Sequence, residues 1–193
     1  KRLHLPADRR LVLFVSQRVT DQRKGMDYFV EAVARMAEEH PEMKEHTGIA
    51  ILGGHAEELE GRLALPVFPI GYVSDQQRIR DVYNAADVFV LPSLEDNLPN
   101  TIMEAMACGV PCVGFRVGGI PEMIDHRRNG YVAAERDARD LAEGIRWVLD
   151  EADYAALSEA AVAKVLHSYS QRSVAMQYLE VYNEAMAYKN FCL

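Results

Sequence analysis

Short apolar runs alternate with amphipathic stretches from one end of the chain to the other. Leu11-Val12-Leu13-Phe14-Val15 is apolar at every position, as in a strand covered on both faces. Met26, Phe29, Val30, Val33 and Ala37 then recur at helical spacing, with Pro41 just beyond the helix they predict. Ile49-Ala50-Ile51-Leu52 reads as the next strand, closed by Gly53-Gly54. A charged helical stretch from Glu57 to Leu63 leads to Val67-Phe68-Pro69-Ile70-Gly71-Tyr72, whose proline suits an edge strand. Ser74 is a candidate N-cap for a helix through Ile79, Val82 and Tyr83. Val88-Phe89-Val90-Leu91 is a buried strand, followed by a turn-rich loop from Pro92 to Asn100. A helix from Thr101 to Ala107 is predicted to stop at Gly109. Residues 111–115 and 130–133 form short strands around a glycine-rich connection, and everything beyond Asp137 reads as helix. Leu141, Ile145, Val148 and Leu149 make one apolar stripe there; Val174, Tyr178, Val181, Tyr182 and Ala185 make another.

This alternation predicts an α/β fold with a doubly wound parallel sheet of about six strands. No linker-like segment, low-complexity tract or repeat divides it, so a single domain spanning 1–193 is expected, with C-terminal helices over about 137–189. Such sheets bind ligands beyond the C-terminal ends of their strands, where strand order reverses. The segments to inspect are therefore residues 17–25, 53–56, 71–74, 93–101 and 116–121.

Charge narrows the ligand. Lys plus Arg is 21 against 29 for Asp plus Glu, a formal net charge of −8. A surface that tracks nucleic-acid phosphates has the opposite sign, so no nucleic-acid partner is expected and any anion site must be local. No apolar run approaches the roughly 18 residues of a transmembrane helix, and Lys1-Arg2-Leu3-His4-Leu5-Pro6 lacks a signal-peptide stretch. Cys108, Cys112 and Cys192 are an odd set without zinc-ligand spacing, read as reduced thiols in a cytoplasmic protein. The six histidines are scattered, so no metal site is expected.

Three segments can carry chemistry. In residues 91–109, Asp96 and Glu104 stand eight positions apart across a loop-to-helix junction. First-turn amides there suit a phosphate or sugar hydroxyl, and carboxylates beside them accept from hydroxyls. Thr101-x-x-Glu104 is equally a capping box that would only tie off the helix start. In residues 16–25, the cations Arg18, Arg23 and Lys24 at a strand's C-terminal end fit a diphosphate clamp or plain surface charge. Neither GxxxxGK[ST] nor GxGxxG is present, which argues against a Walker loop and an ordinary NAD domain. Gly118-Gly119 allows close backbone approach, but a tight turn without ligand is the favoured reading. His55, after Gly53-Gly54, reads as a surface histidine.

Taken in order, Arg18…Lys24-Gly25, Ile51-Leu52-Gly53-Gly54, Ile70-Gly71-Tyr72-Val73-Ser74, residues 86–93 and Glu104-Ala105-Met106-Ala107-Cys108-Gly109-Val110-Pro111 resemble the C-terminal half of retaining GT-B glycosyltransferases. The likeness is to family 4, the glycosyl transferases group 1, over about residues 9–187, and includes Gly118-Gly119-Ile120-Pro121-Glu122 and Asn129-Gly130-Tyr131. It implies a Rossmann-like donor-binding domain, one half of a GT-B fold. By that resemblance Arg18 and Lys24 would bind the donor diphosphate, and Glu104, the second acid of an E-x7-E motif, the ribose. Asp96, with Glu95 beside it, would lie by the donor sugar. Amides of Asn97, Leu98, Pro99–Asn100 and Thr101 would meet sugar and phosphate, and Tyr72 and Val73 would border the base. Departures from the family pattern are Asp for Glu at position 96, Asn97-Leu98-Pro99-Asn100 for a Gly-Phe-Gly segment, and Gln17 for a Gly.

The implied activity is transfer of a sugar from a nucleotide-diphospho donor (UDP or GDP type), with retention, to a saccharide or lipid-linked acceptor in polysaccharide or glycoconjugate synthesis. No cofactor and no metal are implied. The implied partner is an N-terminal GT-B domain that carries the acceptor platform and on which the final helical segment, from about Ser170 to Tyr188, would pack as a crossover-type tail, leaving this chain inactive alone. Cytoplasmic placement is expected, with room for peripheral docking at the inner membrane face through that partner. Rival readings are a non-catalytic nucleotide-sugar-binding subunit, another GT-B activity such as a sugar-nucleotide epimerase, and a protein-interaction module.

Overall fold

The computed structural model describes residues 3–18, 21–59 and 61–191. In chain order its elements are β1 (Arg10–Arg18), α1 (Met26–Glu39), α2 (Met43–His46), β2 (Thr47–Gly54), β3 (Val67–Gly71), α3 (Gln76–Asn84), β4 (Val88–Leu91) and α4 (Asn100–Ala107). Then come β5 (Cys112–Phe115), α5 (Ile120–Met123), β6 (Gly130–Ala133), α6 (Ala138–Arg146), α7 (Tyr154–Ser168) and α8 (Gln171–Phe191). The six strands form one sheet in the order β3-β2-β1-β4-β5-β6. Each pair is parallel. The apolar runs are strands because helices cover both faces of such a sheet.

One face packs under α1 and α6, where Phe14 stacks on Phe29 at 5.4 Å. The other packs under α3, α4, α5 and α7, around Tyr83, Phe89, Ile102 and Met106. β3, with Pro69, lies at the sheet edge as its proline requires. The chain leaves β1 for β2 and β3, then returns through α3 to β4 on the opposite side of β1. Strand order therefore reverses between β1 and β4, and a crevice opens beyond their C-terminal ends.

Three local expectations are corrected. The cap of α3 is Asp75 rather than Ser74: its extended backbone immediately precedes the helix, and its carboxylate accepts from Gln77 N and Arg78 N. The Glu57-to-Leu63 helix shrinks to a 3-10 turn at Ala56–Leu59, because Gly61 takes a left-handed φ of +81° that no continuing helix tolerates. The C-terminal region is broken by a π-turn at Trp147–Glu151 and by the extended residue Ala152. Its first apolar stripe is buried, but the second is not: on α8, Tyr178, Val181 and Tyr182 are each 58–59% exposed. α8 packs against α7, and Met176, Leu179 and Met186 along it are also more than half exposed.

Candidate functional site

A cleft of about 1000 Å³ lies at the β1/β4 reversal, lined by Val15, Ser16, Gln17, Asp21, Arg23, Lys24, Tyr72, Leu91 and Thr101. β1 and β4 supply its floor, the turn after β1 supplies its cations, and the start of α4 closes one end.

The loop from Pro92 to Leu98 is held from both sides. Toward the 21–25 turn, Leu94 N donates to Arg23 O at 2.8 Å, and Lys24 Nζ donates to Asp96 Oδ2 at 2.8 Å. Gly25 completes this contact: its φ is +68°, and a Cβ there would overlap the Pro92 carbonyl. On the other side, Gly119 N donates to Asn97 O at 2.6 Å, and a Cβ on Gly118 would overlap the Asp96 carbonyl. The glycine pair does make a turn, and that turn is pressed against the main chain of the acidic loop. Ser93, within this loop, is fully buried, and its hydroxyl finds no partner among the described residues.

The Lys24–Asp96 pair is partly buried, with side-chain exposures of 30% and 15%. That geometry gives the ammonium a fixed place beside the cleft and neutralises the carboxylate next to it. Arg23 instead folds onto Asp21, which raises the Arg23 guanidinium and lowers the Asp21 carboxyl from their ordinary values through their hydrogen bonds. Arg18 ends β1 opposite Gly54; its side chain lies outside the described residues, as does Cys192.

At the start of α4 the N-cap is Pro99, which has no side-chain oxygen to offer, and among the described residues no side chain caps the helix. Its first turn therefore opens with uncapped amides, the arrangement that receives anions and hydroxyls. The capping-box reading fails for the same reason: Thr101 lies inside the helix instead of at its cap. Glu104, on the same face as Thr101 one turn on, accepts from Tyr83 Oη at 2.9 Å through its Oε2.

The remaining expected residues are spread around this centre. Tyr72 is exposed at the cleft edge, and Val73 is half-buried against the core. Pro99 is buried and Asn100 exposed. Asn97 turns its carbonyl to Gly119, and Leu98 lines a separate apolar groove with Tyr169, Val174 and Tyr178 of the C-terminal helices. Glu95 is exposed, and it is Asp96 that meets Lys24. His55 is exposed and pairs with Glu58 at 3.1 Å. Sequence reasoning missed Tyr83, which its apolar helical spacing presented as core; only Glu104's position opposite reveals its polar end. Among the described residues, no three His, Cys, Asp or Glu side chains gather to hold a metal ion. Nor is any described helix long and apolar enough to cross a membrane.

Comparison with known proteins places this geometry. The chain is 29% identical to a D-inositol 3-phosphate glycosyltransferase of Thermobispora bispora, a match covering 96% of this chain and 46% of the relative. It is 31% identical to an N-acetyl-alpha-D-glucosaminyl L-malate synthase of Bacillus anthracis, over 60% of this chain and 30% of that protein. The chain thus spans about half the length, or less, of the curated relatives it matches. Among solved structures it is similar to the sucrose-phosphate synthase of Thermosynechococcus elongatus, with a TM-score of 0.78 and 26% identity over 96% of this chain and 48% of that one. HepE of Anabaena, solved in complex with UDP and glucose, shares the fold at a TM-score of 0.74 and 21% identity, over 92% of this chain and 49% of that one. A family model described as glycosyl transferases group 1 matches residues 9–151. That match covers well over half of the chain and both walls of the cleft, and the chain belongs to the glycosyl transferases group 1.

Proposed function

We propose that this chain is the donor-binding half of a retaining glycosyltransferase, and that the β1/β4 cleft receives the nucleoside diphosphate of a nucleotide-sugar. The observation that carries this reading is Lys24, held by Asp96 at the edge of a cleft that ends on the uncapped start of α4. In an acidic chain, that is a local anion site of the kind the charge balance demands.

In the transfer, the bond between the anomeric carbon and the diphosphate oxygen breaks, and its electron pair goes to the departing phosphate. Lys24, Arg18 and the α4 amides stabilise that charge as it develops, while the sugar becomes oxocarbenium-like. The acceptor hydroxyl attacks from the same face, and its proton passes to the leaving phosphate, so configuration is retained. Asp96 lies by the donor sugar, and Glu104 accepts from the ribose. Tyr72 and Val73 border the base, and main chain from Asn97 through Leu98, Pro99 and Asn100 to Thr101 borders the sugar. The reading calls for no metal ion. An N-terminal domain supplies the acceptor platform, which the half-length coverage of the relatives supports, and this chain alone binds donor without transferring sugar.

Calorimetric or NMR titration of the chain with UDP, GDP and ADP tests this. One nucleotide binds, and Lys24→Ala weakens it by about tenfold or more, the worth of one charge-assisted hydrogen bond to phosphate. Equal binding by both forms, or no binding by this chain and by its full-length protein, overturns the reading.

A further inference from the structure

Glu104 is a long, exposed side chain on α4, and such a side chain ordinarily samples many rotamers. Here one of its two oxygens is already engaged. Tyr83 reaches it from α3, with a ring that is 1% exposed and packed edge-on against Phe89 at 6.0 Å between centroids. The phenol has one proton to give, and it gives it to Glu104 Oε2 at 2.9 Å. Burial, then the charge of Glu104 and the hydrogen bond itself, hold the Tyr83 hydroxyl far above its usual titration range, so it stays a neutral donor.

We infer that Tyr83 is a positioning residue: by anchoring Glu104 Oε2 it fixes the carboxylate in one orientation and leaves Oε1 as a pre-aimed acceptor for ribose hydroxyls. This rests on the proposed assignment of Glu104 to the ribose. The physical gain is entropic, since a side chain ordered before the ligand arrives need not be ordered by it. The anchor also sets specificity. A carboxylate whose second oxygen can only accept discriminates against a nucleotide that has no hydroxyl to donate.

The test compares nucleoside diphosphate with its 2′,3′-dideoxy analogue, using the base that this chain binds, in wild type, Tyr83→Phe, Glu104→Gln and the double variant. Phenylalanine keeps the buried ring and removes only the hydroxyl, and thermal melting confirms that the fold is kept. The expected result is a fall of about five- to twenty-fold in the preference for ribose in Tyr83→Phe, with affinity for the dideoxy analogue unchanged. The double variant then shows no greater loss than Glu104→Gln alone. Equal weakening of both ligands in Tyr83→Phe marks a merely structural role and overturns the inference, as does an unchanged preference. If wild type binds but Glu104→Gln keeps the full ribose preference, the ribose assignment fails while the donor cleft stands. If neither this chain nor its full-length protein binds either nucleotide, the donor reading itself fails and the inference falls with it.

Discussion

The glycine pair behind the acidic loop makes the tightest structural commitment in the site. Gly118 has φ of +51°, and a Cβ on it would overlap the Asp96 carbonyl; next to it, Gly119 N bonds Asn97 O at 2.6 Å. In Gly118→Ala the left-handed backbone costs about 1–2 kcal/mol, of which about 0.4–1 is returned by a stiffer unfolded chain. The overlap is with main chain, so the two loops must part; the displacement costs about 1–3 kcal/mol and the strained hydrogen bond about 0.5–1.5. The expected destabilisation is about 3 kcal/mol, a fall in melting temperature of about 6–12 °C for a chain of this size. Gly61→Ala supplies the control. That glycine has φ of +81° with nothing near its would-be Cβ, so it bears only the backbone strain, about 0.5–1 kcal/mol. Thermal and urea denaturation of both variants measure the difference, and nucleoside diphosphate titration reports whether the loop carrying Asp96 has moved. If Gly118→Ala costs no more than Gly61→Ala and binds nucleotide as wild type does, the glycine turn does not hold this loop.

Two further outcomes follow from buried groups. Asp87 Oδ2 accepts from Leu11 N at 2.7 Å, yet burial outweighs that bond and the nearby charge of Arg10 and raises its carboxyl above the ordinary value of 3.8. A carboxyl raised in the folded state contributes stability below its unfolded pKa and loses it as pH rises through the folded one. Asp87→Asn, which can keep the accepted bond, therefore stabilises the protein at neutral pH by less than about 1 kcal/mol, because the carboxyl is half in water. The gain disappears below about pH 4 in denaturation curves, where wild-type Asp87 is itself neutral; a gain that persists at pH 3 refutes the assignment. Cys112 is fully buried and burial pushes its thiol well up, while half-buried Cys108 is raised less far. Alkylation followed by peptide mapping should modify Cys112 only after denaturation; labelling of the native chain at Cys112 would contradict its burial.

Much of this protein was written locally. Leu11 to Val15, Ile49 to Leu52 and Val88 to Leu91 are short runs apolar at successive positions, and a sheet covered on both faces buries such runs. Pro69 placed its strand at an edge, and Gly109, at φ of +74°, stopped the helix before it. Lys24, Asp96 and Glu104 were visible as candidate groups because they follow strands in a fold whose ligands bind beyond strand ends. Errors arose where two local signals competed. Ser74 and Asp75 are both good caps, and the choice depended on which residue directly precedes the first helical turn. Val174, Tyr178 and Val181 show in the sequence as an apolar face at helical spacing, but periodicity records only that a face is apolar and says nothing of what covers it.

The sequence alone thus determined the sheet, its covering helices and the charged groups proposed here to meet a diphosphate, since hydrophobic period and turn chemistry act over a few residues. The tertiary structure decided which of those groups meet. Lys24 and Asp96 are 72 positions apart and touch only because strand order sets β1 beside β4. Tyr83 and Glu104, 21 apart, meet because α3 and α4 pack on one face of the sheet. Hydrogen bonds and ion pairs of this kind depend on distances of a few ångströms between elements, and no pattern local to either partner carries that information.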